Sequence, residues 1–307
     1  MGWVANSMVE YSAFNRLVPG SSPGQPTLIL PKYNLITEAL LHMNAISQIL
    51  EDKRRNSTLA LIPFITAGYP NIDTTLKAIH ALDAHGADII ELGIPYSDAL
   101  ADGPTIQQSS KVALDQGVNI DQVLKLLGQI KLDIQTPIVI FTYYNPILAR
   151  GAKKFVEEIS LEGAQGLIIP DLPIEETDYL AYLCSQYNIE LILFIAPTSS
   201  KSRIANILNK APGCVYLVSS TGVTGTRKSL DDDISLLSAY IKSNTTKLVM
   251  LGFGISSKEQ ISRVSGWDID GIVIGSAFIN SLSINTNNLR NVDSLSSLCK
   301  DMKTAIQ

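Results

Sequence analysis

Glu91 interrupts the apolar run ADIIELGI (87–94) with a carboxyl group where a strand would otherwise bury only hydrocarbon. Burying such a group charged and unpaired costs on the order of several kcal/mol. It must therefore be satisfied by backbone donors or a buried Arg, as a structural residue, or be held protonated. In the second case its pKa rises and it can deliver a proton near neutral pH. Asp102 follows eleven positions later, in the turn-rich stretch SDALADGP. Alone, an Asp in that setting caps a helix or closes a turn. Sharing a loop with Glu91, it forms a pair that can divide acid and base duties.

A second set of residues suits an anion. TGVTGTR (221–227), LGFGISS (251–257) and IGSAF (274–278) each follow an apolar run. Glycines let the backbone approach an oxyanion, and a short helix starting near Ser276 would aim its first amides at one. Any one of these glycines could equally serve a tight turn. Three such loops at neighbouring strand ends would make a phosphate site, which barrels often place after their last strands.

Other chemistries lack their residues. Lys247 opens an apolar run instead of closing one, so no lysine is placed for Schiff-base chemistry. His42, His80 and His85 show no metal-ligand spacing, and Cys184, Cys214 and Cys299 are too scattered for a cluster or a disulfide frame. No metal site is expected, and the cysteine usage suits a reducing compartment. A net charge of −5 gives no basic footprint for nucleic acid or an anionic membrane. No apolar run approaches the roughly 18 residues of a spanning helix, and no secretory signal is visible at the N-terminus. A soluble protein is expected.

These residues require elements to hold them. Residues 1–42, with prolines at 19, 23, 26 and 31 and no sustained period, read as a disordered leader outside the fold, and 43–307 as one catalytic domain. A helix over AISQILEDKRRN precedes eight β-branched apolar runs: 58–68, 87–93, 137–145, 166–171, 190–197, 214–220, 247–254 and 270–276. Helix-period segments alternate with them, and SLSSLCKDMKTAI closes the chain. Strict alternation demands parallel strands with right-handed crossovers, and near-continuous apolar runs demand strands buried on both faces. The fold predicted is an α/β class, single (β/α)8 TIM barrel with an extra N-terminal helix and an extra loop and helix after the second strand. Its chemistry belongs at the C-terminal ends of the strands.

The motifs FITAGYP, ELGIPYSDALADGPTIQ, TYYNP, PDLP, YLVSSTGVTGTR, LGFGIS and GSA occur in this order, and across 43–307 the sequence resembles the α-subunit family of tryptophan synthase. That resemblance implies a lyase performing retro-aldol cleavage of indole-3-glycerol phosphate to indole and glyceraldehyde 3-phosphate. It implies Glu91 as the acid–base group and Asp102 as the partner of the indole N–H. Phe64, Tyr143, Tyr216 and Phe253 would line the indole pocket, and Gly225, Gly252, Gly254, Gly275 and Ser276 would cradle the phosphate. No cofactor is implied in this chain; pyridoxal phosphate belongs to a partner β subunit in an α2β2 heterotetramer. Asp98, Tyr144, Asn145 and Pro146, on rim loops, would form the docking face. Ala99 stands where the family commonly has proline, so a less pre-organised loop is expected. The compartment implied is a bacterial cytoplasm or an algal plastid stroma. The phosphate loops alone would also suit another sugar-phosphate isomerase or epimerase, and a catalytically idle, partner-activating subunit is a third reading.

Overall fold

The computed structural model describes residues 43–219, 227–252, 254, 257–283 and 291–306. The expected leader, residues 1–42, lies outside the described residues. The eight apolar runs form strands β1 (Ala60–Thr66), β2 (Ile90–Gly93), β3 (Ile138–Phe141), β4 (Ala164–Ile168), β5 (Glu190–Ile195), β6 (Cys214–Val218), β7 (Leu248–Gly252) and β8 (Gly271–Ile274). All pair in parallel, in sequence order, and β8 returns to β1 to close the barrel.

Alternation along each strand separates two cores. Leu61, Ile65, Ile90, Leu92, Ile140, Leu191, Val215, Leu251 and Ile272 face outward and pack beneath the helices. Ala60, Ile62, Phe64, Val139, Phe141, Ile192, Tyr216, Met250 and Val273 fill the barrel. The helices outside start on polar caps that accept otherwise orphaned amides: Asn71 for Ile72–Ala84, Asn119 with a full capping box for Ile120–Ile130, Ser200 for Lys201–Lys210 and Ser257 for Lys258–Val264.

The extra N-terminal helix, Ala45–Arg55, stoppers the barrel at the ends where the strands begin. Ile46 and Leu50 are fully buried and join the interior core. Gly271 makes room for them: a Cβ there would stand 3.0 Å from Leu50 Cδ2. Polar bonds then latch the helix. Ser47 Oγ donates to the buried Glu190 carboxylate at 2.7 Å, and the Cys214 amide donates to the same group at 2.8 Å. Arg54 makes two 2.9 Å bonds to the buried Asp270, which also receives Lys242 and the Val249 amide. Lys247 is bound to the Ala211 and Pro212 carbonyls, at this same rim.

One expectation changes. The apolar run 137–145 predicts a third strand reaching 145, but β3 stops at Phe141 and Tyr144–Arg150 is a helix. Pro146 sits in its first turn, where the missing N–H has no intrahelical partner to lose. The Tyr144 amide is instead taken by Asp171 Oδ1 at 2.9 Å. Tyr144, Asn145 and Pro146 are therefore helical, not a loop. Among the described residues, no helix is long and apolar enough to cross a membrane.

Ser47→Ala would take from the Glu190 carboxylate the hydroxyl that donates to both of its oxygens. A loss of about 1–3 kcal/mol is expected from urea unfolding, since a buried acceptor loses its partner; an unmoved midpoint would show that the latch carries no stability.

Candidate active site

The same alternation that builds the barrel places the chemistry. Phe64, Glu91 and Val139 lie side by side across β1, β2 and β3, all turned inward. Glu91 thus occupies a position that the pattern otherwise gives to hydrocarbon. It is 2% exposed, and its Oε2 has no hydrogen-bond partner. Among the described residues, no cation is paired with it. Burial, and secondarily the charge of Asp102, push its pKa up to about 8. The structural reading, in which backbone donors or an Arg satisfy this carboxyl, fits neither its orphaned oxygen nor its raised pKa. The arrangement supplies a carboxyl that is protonated at neutral pH and can release its proton.

Asp102 reaches the same space from the loop between β2 and the helix Pro104–Asp115. It is 9% exposed. Burial raises its pKa to about 6, against the lowering effect of a 3.0 Å bond donated by the Tyr143 hydroxyl. The pair therefore differs as its surroundings dictate: at neutral pH Glu91 holds a proton and Asp102 is mostly ionised.

The loop that carries Asp102 is tied down, although it lacks the proline. Ala99 is buried, and its carbonyl accepts the Asp102 amide at 3.2 Å and the Gln107 side chain at 3.1 Å. Gln107 also donates to the Asp102 carbonyl at 2.9 Å. The Ala101 amide donates to the Tyr143 hydroxyl at 3.1 Å. Sequence reasoning missed Gln107, whose place in the first turn after the loop was its one available signal. It read Tyr143 as pocket lining, and only the geometry shows its bond to Asp102.

Aromatic rings wall the space. Phe64 and Phe141 meet edge to face at 5.6 Å, and Phe194 lies 4.7 Å from Tyr216. Burial and the charges of Glu91 and Asp102 raise the Tyr216 pKa well above its usual value, which sets this ring within reach of both carboxyls. Two glycines give these rings their seats. A Cβ on Gly93 would stand 2.6 Å from Phe64 Cζ, and one on Gly252 would stand 1.9 Å from Tyr216 Oη.

The anion residues divide. Gly252 ends β7, Gly254 follows with φ +86°, and Gly275 leads from β8 into the helix Ser276–Ser281, whose first residue is exposed. Gly225 and Phe253 lie outside the described residues. Of the rim residues, Asp98 and Asn145 are exposed, and Tyr144 and Pro146 are half-buried. Among the described residues, no group of three or more His, Cys, Asp or Glu side chains could hold a metal ion.

Residues 50–307 match the family model described as tryptophan synthase alpha chain. The tryptophan synthase alpha chain of Gracilaria tenuistipitata var. liui is 58% identical over 264 residues, covering 86% of this chain and 97% of that protein. The corresponding chain of Synechococcus elongatus is 47% identical, with the same coverage. The crystal structure of tryptophan synthase subunit alpha from Legionella pneumophila superposes with a TM-score of 0.78 at 32% identity, covering 86% of this chain and 98% of that one. A tryptophan synthase structure from M. tuberculosis, in an aminoacrylate-bound form, gives a TM-score of 0.76 at 28% identity, covering 86% and 100%.

The seating of Phe64 is open to test. Gly93→Ala would drive a methyl group into the Phe64 ring and overpack the barrel, at an expected cost of about 1–3 kcal/mol by urea unfolding. Gly266→Ala, where nothing lies within 4 Å of the added Cβ, is the control expected to stay near the parent; equal effects would refute the steric account.

Proposed function

The chain belongs to the tryptophan synthase alpha chain family, whose reaction cleaves indole-3-glycerol phosphate in tryptophan biosynthesis, and we propose that Glu91 and Asp102 carry that reaction here. This lyase uses no cofactor of its own; pyridoxal phosphate belongs to the β chain. The observation that carries the residue assignment is the orphaned, buried carboxyl of Glu91 beside a second, differently tuned carboxyl.

Splitting the bond between indole C3 and the glycerol carbon needs a proton on C3 and the loss of one from the adjacent hydroxyl. Glu91, protonated at neutral pH, gives its proton to C3, and the ring becomes an iminium-like cation. The C–C bond then breaks as its electron pair returns to the ring. The hydroxyl passes its proton to the Glu91 carboxylate while its carbon becomes the aldehyde of glyceraldehyde 3-phosphate. Indole leaves and Glu91 is restored, so the proton count closes. The ionised Asp102 accepts the indole N–H and opposes the positive charge that grows on the ring. The low-dielectric pocket of Phe64, Tyr143 and Tyr216 strengthens that attraction, and Phe253 is assigned to the same indole contact.

The phosphate of the substrate is assigned to the backbone around Gly225, Gly252, Gly254, Gly275 and Ser276. The exposed Asp98 and Asn145, with Tyr144 and Pro146, are assigned to the docking face for a β subunit in an α2β2 assembly. The likeness to tryptophan synthase structures supports that partner. Residues 43–307 are read as the catalytic domain, because a relative matched over 97% of its length covers 86% of this chain. The likeness to chains from red algae and cyanobacteria supports a plastid stroma or a bacterial cytoplasm as the proposed compartment.

Two carboxyls needed in opposite states give a bell-shaped profile. Indole release should rise with pH as Asp102 ionises near about 6 and fall as Glu91 loses its proton near about 8. The groups interact, so each limb belongs to the pair. Glu91→Gln should lower kcat by about 1,000-fold or more while the urea midpoint holds or rises. Asp102→Asn should flatten the acid limb. Parent-like turnover in Glu91→Gln would overturn the acid–base assignment.

A further inference from the structure

Two hydrogen bonds converge on the hydroxyl of Tyr143. It accepts the Ala101 amide at 3.1 Å and donates to Asp102 Oδ2 at 3.0 Å. The incoming amide occupies the lone-pair side of the hydroxyl, so its own hydrogen is directed at the carboxylate. A donor that is itself accepting a bond is polarised toward stronger donation. The ring has little freedom to carry that hydroxyl elsewhere. Tyr96 stacks on it at 5.2 Å with a 32° tilt, and Phe141 meets it edge-on at 6.2 Å. Tyr96 is in turn held by Asn145, whose Nδ2 donates to the Tyr96 hydroxyl at 3.2 Å. The backbone next to Tyr143 is pinned by the bond from the Tyr144 amide to Asp171.

We infer that Tyr143 acts on the reaction through Asp102, as a positioning residue that locks the carboxylate and the Ala101–Asp102 turn into one orientation. This rests on the reading of Asp102 as the acceptor of the indole N–H. With Oδ2 taken by Tyr143, the other oxygen is the one presented to the substrate. Without the bond, the turn keeps its tether to Gln107, but the carboxylate can rotate. A misplacement on the order of 1 Å can cost about 100-fold in rate. The role is distinct from lining the indole pocket, which needs the ring and not the hydroxyl.

The same bond also acts on ionisation. Asp102 is faced by Glu91 from β2, by Tyr143 from the end of β3 and by Tyr216 from β6; Asp171 in turn faces Tyr143. The Tyr143 hydroxyl donates to the Asp102 carboxylate and holds its pKa down. Replacing it leaves the other groups in place and lets the Asp102 pKa rise.

Tyr143→Phe keeps the ring and removes the hydroxyl. In assays of indole release it is expected to lower kcat roughly 10- to 100-fold, to leave KM within about twofold, and to shift the acid limb of kcat/KM to higher pH. Tyr143→Leu, lacking the ring as well, should also raise KM. Incorporating 3-fluorotyrosine at Tyr143, which preserves the packing and makes the phenol a stronger donor, should shift the acid limb to lower pH. An unmoved limb in both Tyr143→Phe and the fluorinated protein, or a KM effect without loss of kcat, would overturn the positioning role. Asp102→Asn run beside them separates the two ideas: parent-like turnover there would mean that Asp102 itself had been misread.

Discussion

Everything at the mouth of this barrel depends on one carboxyl group being kept from water without a partner. Glu91 has strands on both sides and aromatic rings close by, and its free oxygen meets no donor. Such a group resists ionisation, and a proton that is costly to lose at pH 7 is available to a substrate carbon. The rest of the site reads as the means of preserving that state. Gly93 and Gly252 seat the rings that exclude solvent, and Asp102 is held near enough to act electrostatically without forming a hydrogen bond to Glu91.

The barrel divides its polar groups between two ends that do different work. Where the strands begin, buried carboxylates are saturated: Glu190 by Ser47 and the Cys214 amide, Asp270 by Arg54, Lys242 and the Val249 amide. Where they end, Glu91 is left wanting. Saturated groups contribute to stability, and unsatisfied ones store chemical potential. The helix Ala45–Arg55 belongs to the first end, which explains how a stretch far from the site can fix the frame that the site needs.

Much of this was legible in the sequence because it rests on period and residue type. The eight apolar runs, the helices between them and the oddity of Glu91 within ADIIELGI follow from local patterning, and the barrel follows from their alternation. What escaped depends on contacts distant in sequence. The bond between Tyr143 and Asp102 joins residues 41 positions apart, and no spacing rule announces it. In the sequence Glu190 and Asp270 are simply the first residues of two apolar runs, since their roles depend on where a separate helix lands. The helix from Tyr144 was hidden by an apolar, aromatic approach and by a proline that usually argues against helix but is tolerated in a first turn.

The loop behind Asp102 also has a bearing on how its opening could be followed. Most amides in a barrel are bound to carbonyls of neighbouring strands or of their own helix, and they exchange with solvent only when that structure opens. The Ala101 amide is bound to a side-chain hydroxyl instead. Its protection is therefore lost when the Tyr143 hydroxyl leaves the Ala101 amide, a local opening that needs no strand to separate. One backbone proton thus serves as an intrinsic clock for the site, readable without substrate, label or partner.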